Sequence, residues 1–298
     1  MKKETSLIHR MILFGHEISQ TKRSAVLYAA QLIVTVLSVK MAGVSDIHVS
    51  EYNRRGGLFR MKIIDQSHEI LSWPVQALEM IERAGRTCYK SEDKIGCSIP
   101  EEHQGPENCP DMNWDFSCAS ECKHHSSRKF VKMLQNRGHY AMIEFADLTV
   151  KFITNRGVTH ELVRHRMCSF AQESTRYVKY DVEMEFIRPI WCNAIIIGKY
   201  PQYCGLNHSE VIFIRSCMNA EFDYRALLQK GWRSEQAREV LPNSLKTEIV
   251  VKANLREWHH ILTLRTSKAA HPQMRALMLP LLKELKEKIP VIFDGIQE

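Results

Sequence analysis

The chain has 298 residues, 44% of them hydrophobic and 25% charged, with a formal net charge of +7. That length can bury a sizeable core as one or two domains, and the proportions exclude a disordered, collagen-like or membrane-embedded chain. The positive charge points to anionic partners, and because the basic residues are scattered through patterned segments with no run of five or more, small phosphorylated ligands are favoured over nucleic acid.

Residues 1–60 read as an N-terminal extension. Within it the apolar stretch 24–39 spans 16 residues and contains Gln31, short of the roughly 20 needed to cross a bilayer. It also sits late for a signal peptide, so no membrane association is expected. Met61 to Asp65 reads as a first strand. One expectation is that Met61 is the biological start, with Gly56-Gly57 encoded by a purine-rich ribosome-binding sequence; the gene's nucleotides would test it.

Ser72 is expected to cap a helix with Pro74 in its first turn and Val75, Leu78 and Ile81 on its apolar stripe. Residues 96–125 read as a loop broken by Pro100, Gly105, Pro106 and Pro110. This segment carries Cys97, Cys109, Cys118, Cys122, His124 and His125, residue types that bind zinc, at spacings that fit no standard zinc module. A structural zinc and a plain solvent loop both remain open there, and no metal is assigned to the functional site. Phe130, Val131 and Leu134 mark a helix ending near Gly138, and Leu148, Val150 and Phe152 alternate as a strand. A helix through Arg164-His165-Arg166 follows, then a strand over 182–188.

Ser209-Glu210 opens a helix through about Gln229, closed by Gly231. Ser234 is expected to cap a short helix stopped by Pro242. Residues 244–265 read as one helix, which puts Asn254 and Arg265 on a common face with Trp258 and Ile261. Pro272 begins the last helix, with a kink at Pro280. There is no internal repeat, and the absence of a Gly-x-Gly-x-x-Gly run argues against a Rossmann dinucleotide site. The nine cysteines are odd in number. Cys88, Cys168, Cys192, Cys204 and Cys217 stand singly, which favours reduced thiols in a cytoplasmic protein.

The chemistry concentrates in Arg164-His165-Arg166, seven residues, then Ser174-Thr175-Arg176. Arg presents a rigid fork of donors that fits phosphate, and His adds a group that titrates near neutral pH. Ser174 and Arg176, two apart on an expected strand, would point to one side.

This pattern resembles the signature of the flavin-dependent thymidylate synthases, also called thymidylate synthase complementing proteins. The likeness extends to Gly138-His139, to Asn155 through Val163, and to Thr175-Arg176-Tyr177. Downstream it includes Gln236 to Pro242, Asn254-Leu255-Arg256, Leu264-Arg265-Thr266 and His271 to Arg275. It covers about residues 61–95 and 126–295, leaving 61–298 as one synthase domain with an insertion at about 96–125. The resemblance implies an α+β fold, helices packed with a curved, largely antiparallel sheet, and a homotetramer with shared active sites.

It also implies the chemistry: methylation of deoxyuridylate (dUMP) to dTMP with 5,10-methylenetetrahydrofolate as carbon donor, hydride from FAD, and NADPH as reductant of the flavin. Arg265 matches the catalytic arginine, a fixed charge against the uracil edge that acts electrostatically and not as a base. Glu161, Arg164, Gln172, Glu173, Ser174, Thr175, Arg176 and Arg238 match the dUMP-binding positions, with Arg176 and Arg238 at the phosphate. His139, His165, Arg166, Asn254, Arg256 and His260 match the flavin positions, and Arg164 and Gln172 border both ligands. No cysteine is expected to be catalytic, Cys168 included. The chain departs from the family's frequent residues at Phe145 (His), Ala141 (Ser or Thr), His260 (Asn) and Gln172 (Glu). Two other classes of function fit some of these residues: a degenerate homologue that binds nucleotide without turnover, and a basic zinc-bearing nucleic-acid binder.

Overall fold

The computed structural model describes residues 61–96, 126–180, 183–200 and 205–297. The extension up to residue 60, and the six cysteines and histidines of the insertion, lie outside the described residues. In chain order the elements are β1 (Lys62–Ile64), β2 (Ser67–Ser72), α1 (Ala77–Tyr89), α2 (Ser126–Asn136), β3 (Asp147–Asn155) and α3 (Arg156–Leu162). There follow β4 (Ser169–Gln172), β5 (Glu185–Ile187), β6 (Gly198–Lys199), α4 (His208–Gln229), α5 (Ser234–Ala237), β7 (Lys246–Asn254), α6 (Leu255–Arg265), α7 (Pro272–Lys288) and α8 (Pro290–Phe293).

The main sheet has the order β2-β3-β7-β4 and is antiparallel throughout. Its spine is the nine-residue ladder of β3 and β7, from Asp147 opposite Asn254 to Asn155 opposite Lys246. Leu148, Val150 and Phe152 of β3 pair with Ala253, Val251 and Ile249 of β7, and all six are buried. This face packs on Trp258 and Leu262 of α6 and on Met274, Leu277 and Leu281 of α7 in one hydrophobic core. A smaller sheet, β5-β1-β6, has β1 parallel to β5 and antiparallel to β6. The architecture is the expected α+β, with largely antiparallel strands.

Four local expectations are corrected. Ser72 ends strand β2 instead of capping a helix; α1 begins five residues later at Ala77, and Val75 is 73% exposed, off its apolar stripe. Residues 244–265 are not one helix. Lys246–Asn254 is strand β7, in which Thr247, Ile249, Val251 and Ala253 are buried and the intervening residues are not. That period of two, rich in β-branched residues, is a strand signal. Helix α4 is opened by Asn207, whose Oδ1 accepts from the Glu210 amide at 3.0 Å while Glu210 Oε2 accepts from the Asn207 amide at 3.0 Å. At α5 the capping position is Arg233, not Ser234.

Both central strands run directly into helices, and an asparagine marks each junction. Asn155 Oδ1 accepts from the Val158 amide at 2.8 Å, and Asn254 Oδ1 accepts from the Glu257 amide at 2.9 Å. Because β3 and β7 are antiparallel, these caps stand at opposite ends of the ladder. At about 1.5 Å per residue, α3 and α6 return over it by about 10 and 16 Å, against a ladder of about 30 Å. Their C-terminal ends therefore meet, which is where Arg265 finds Glu161.

Gln273 explains part of the His271–Arg275 match. It is buried, its Nε2 donates to Arg188 O at 3.2 Å, and its Oε1 accepts from the Ile190 amide at 2.9 Å. It ties α7 to the loop after β5, a structural role.

Trp258 is fully buried and its indole N–H donates to the Leu148 carbonyl at 3.0 Å, fastening α6 to β3. Trp258→Phe strands that carbonyl in the core, so urea denaturation should show a loss of about 1–3 kcal/mol.

Candidate active site

The Arg164-His165-Arg166 triplet lies in a turn after α3, not on a helix. The helix ends at Leu162; the His165 amide donates to Leu162 O at 3.0 Å and the Cys168 amide to His165 O at 3.2 Å. These successive turns send His165 inward, where it is 7% exposed, and leave Arg164 and Arg166 outside. Neither arginine has an acidic partner among the described residues. Two exposed cations flanking one buried imidazole form an anion-attracting rim.

The floor is built around Arg265, the last residue of α6. Its Nε–H donates to His165 Nε2 at 3.0 Å, one terminal nitrogen to Glu161 Oε2 at 3.2 Å, and the other to Glu161 O at 2.9 Å. A guanidinium has five N–H donors, so three engaged leave two for a ligand. The cation stands at the C-terminus of its own helix and against a C-terminal carbonyl of α3, where both helix dipoles are negative.

Because Nε–H of Arg265 can only donate, His165 Nε2 must be the acceptor, and the ring proton belongs on Nδ1. Nδ1 faces Glu257 Oε1 at 3.5 Å. Burial, then the charge of Arg265, then His260, lowers the His165 pKa from 6.5 to about 4. The imidazole is therefore neutral at physiological pH, and the positive charge of the floor resides on Arg265 alone. Asn254 caps the start of α6 on the Glu257 amide, the Glu257 carboxylate faces His165, and His165 accepts from Arg265 at the other end of the helix.

Ser174, Thr175 and Arg176 sit in a turn and not on a strand, since β4 ends at Gln172 and the Tyr177 amide donates to Ser174 O at 3.1 Å. Ser174 Oγ accepts from the Arg176 amide at 3.3 Å. Thr175 is buried and its Oγ1 accepts from Arg238 at 3.4 Å. Arg238 thereby joins the motif; its Nε also lies 3.6 Å from Glu239 Oε1, while Glu235 pairs with Arg233 at 2.5 Å. Gln172 donates to Thr159 Oγ1 at 2.9 Å and Thr247 Oγ1 at 3.4 Å, holding β4 to α3. Glu173 accepts from the Tyr180 hydroxyl and from Lys246 Nζ at 3.4 Å.

The remaining expected residues form a third group. Arg256 donates to Glu144 Oε1 at 2.6 Å, and His139 Nδ1 meets the Tyr89 hydroxyl at 2.5 Å. His260 stands edge-on to His165, ring centroids 6.0 Å apart. Arg256 and His260 line a cavity of about 280 Å³ with Tyr140, His259 and Thr263. Phe145 is 55% exposed nearby in sequence, and offers no polar contact where the resemblance favours His.

Sequence reasoning missed Glu257, Tyr180 and Glu144 as partners of site residues. Glu257 was legible, since Asn254-x-x-Glu257 is a helix-start pattern, but the misplaced helix start at 244 concealed it. Cys168 carries no reactive thiolate: burial, then Glu257, pushes its thiol up to about 12.

Comparisons with known proteins place the chain in a family. The sequence profile of the thymidylate synthase complementing protein family matches residues 69–291. The flavin-dependent thymidylate synthase of Corynebacterium efficiens is 31% identical over 234 residues, covering 73% of this chain and 79% of that protein. The one from Corynebacterium aurimucosum is 32% identical over 225 residues, covering 72% and 78%. Among solved structures, a UMP/dUMP methylase of Streptomyces cacaoi bound with 5-Br dUMP superposes with a TM-score of 0.57 at 22% identity, covering 78% of this chain and 96% of that one. The chain belongs to the thymidylate synthase complementing protein family, the flavin-dependent thymidylate synthases.

His165 binds a proton near 6.5 when unfolded but only near about 4 when folded. Its contribution to stability is complete above about pH 6.5 and is lost as pH falls through that window towards 4. Urea midpoints measured from about pH 7 to pH 5 should fall more steeply for the wild type than for His165→Gln. His259, lowered by burial and by His260, acts in the same sense in both proteins.

Proposed function

We propose that this chain methylates dUMP at C5 to give dTMP, with 5,10-methylenetetrahydrofolate as carbon donor, FAD as source of the hydride and NADPH as reductant of the flavin. The observation that carries the reading is the Arg265 guanidinium, held by Glu161 and His165 with two N–H donors left over.

A fixed cation at the uracil edge stabilises the pyrimidine anion at N3 and so raises electron density at C5, the atom that must attack the carbon donor. Neutral His165 keeps that charge undivided and locks the guanidinium in one orientation. Arg176 and Arg238, gathered by the Ser174–Arg176 turn, would hold the phosphate, with Ser174 as a hydroxyl donor. Gln172 and Glu173, each anchored by neighbours, set the position of that turn relative to α3.

For FAD, the donor set fits a dinucleotide. Arg164 and Arg166 are exposed cations suited to a pyrophosphate, and Arg256 and His260 line the cavity of about 280 Å³. His139, His165, Arg166, Asn254, Arg256 and His260 are the residues we assign to it; when bound, the flavin supplies the hydride that completes the methyl group. A homotetramer with shared sites is supported by Met167 and Tyr177, 73% and 80% exposed beside the cationic turns, where an apolar partner surface would cover them. A cytoplasmic setting is supported by the free thiols of Cys88, Cys168, Cys192 and Cys217. Among the described residues no helix is long and apolar enough to cross a membrane.

An absorbance spectrum of the purified chain should show bound-flavin bands that shift on adding dUMP. A colourless protein that takes up no FAD would sink the proposal. Arg265→Lys, which keeps the charge but loses the fork, should lower kcat by about 10²–10³-fold while dUMP still binds. Arg238→Ala should act chiefly on KM for dUMP in the same steady-state assay.

A further inference from the structure

His165, Glu257 and His260 bring one ligand atom each to within 4.8 Å of one another. His165 is buried, Glu257 half-buried and His260 exposed, so the cluster is closed below and open above. Two imidazoles and one carboxylate are the donor set of open zinc sites, in which a fourth position is left to water or ligand. The His165 Nδ1 to Glu257 Oε1 separation of 3.5 Å is close to the edge of a tetrahedron with metal–ligand bonds of about 2.0–2.1 Å, roughly 3.3–3.4 Å. His260, as an exposed side chain at the helix surface, can swing to close the remaining distance.

We propose that His165, Glu257 and His260 form a binding site for a zinc-type divalent cation, and that its occupation dismantles the Arg265–His165 contact. The second part follows from proton placement. Arg265 Nε–H donates to His165 Nε2 at 3.0 Å, which requires the ring proton on Nδ1. A metal at Nδ1 needs that lone pair, so the proton moves to Nε2. Two N–H donors would then face each other across the same 3.0 Å, and Arg265 must turn away, retaining Glu161 alone. Glu257 and Glu161 offset the added charge. The site acts as a lock: cation binding withdraws the support that fixes the guanidinium. Competition with the flavin follows only if the proposed function holds, so the test reads the metal directly.

Zinc(II) is titrated into the full-length chain by calorimetry, with no flavin added, in the wild type, His260→Asn and Glu257→Gln, and cobalt(II) is used as a spectroscopic substitute. One nitrogen- and oxygen-ligated ion per chain is expected, bound at least about tenfold more weakly in both variants. His260 is exposed and carries no hydrogen bond in the core, so His260→Asn keeps the fold if Glu257→Gln does not. Absence of zinc uptake by the wild type would overturn the proposal. So would unchanged affinity in His260→Asn, or a cobalt spectrum showing only the strong charge-transfer absorption of thiolate ligands, which would put the ion on cysteines elsewhere.

Discussion

The site depends on one half-buried cation and the three acceptors that hold it. A guanidinium in a half-buried floor is stable only if its donors are met and its charge offset. Arg265 satisfies both conditions through Glu161, which gives a carboxylate and a backbone carbonyl, and through His165, which gives a lone pair. The arrangement exists because two helices of unequal length start from opposite ends of one antiparallel ladder and meet over its middle. A register shift of β3 against β7 would move Glu161 relative to Arg265 and would turn Leu148, Val150 and Phe152 out of the core as well. Core packing and catalytic geometry are therefore set by the same strand pairing.

Charge is distributed in two tiers. The lower tier is fixed: Arg265 is positive, His165 is held neutral by burial and by Arg265 itself, and Glu257 faces the ring proton. The upper tier, Arg164, Arg166 and Arg176, is exposed and has no acidic partner among the described residues. Exposed cations are hydrated and easily turned towards a phosphate, whereas the paired cation below cannot move without breaking several bonds. The upper tier suits capture of an anionic ligand, and the lower tier suits a charge that must be in place before the reaction begins.

The opposite face of the main sheet is built differently. Lys151, Lys246 and Glu248 form a ladder of ion pairs, with Glu248 accepting from both lysines at 2.5 and 2.6 Å. Lys246 reaches on to Glu173, which also accepts from Tyr180. Lysine hydrogen bonds therefore lower the Glu248 pKa. This network carries the turn that holds Ser174, Thr175 and Arg176, so the position of the phosphate-binding arginines is referred back to the same β7 strand that leads into α6.

Much of the site was legible in the sequence. The arginine triplet with its downstream Ser-Thr-Arg and Arg265 at a helix end follow from residue type and order. So do the strand at Leu148–Phe152 and the family itself. What was obscured was local: Lys246–Asn254 alternates Thr247, Ile249, Val251 and Ala253 with less buried residues, a strand pattern, but it runs without a break into the helix that begins at Leu255, so the two read as one element. Likewise Arg164-His165-Arg166 continues an apolar periodicity that looks helical, while the chain turns at Leu162 because His165 must descend to meet Arg265. Which atom of His165 bears the proton, that Arg238 reaches Thr175, and that Arg265 meets Glu161 were decided by tertiary structure alone. Each depends on atoms from segments that are distant in sequence, up to 104 residues apart for Arg265 and Glu161, and local patterns carry no record of such distances. Residue order by itself determined which chemical groups the protein owns; the packing of α3 and α6 over one ladder decided which of them touch.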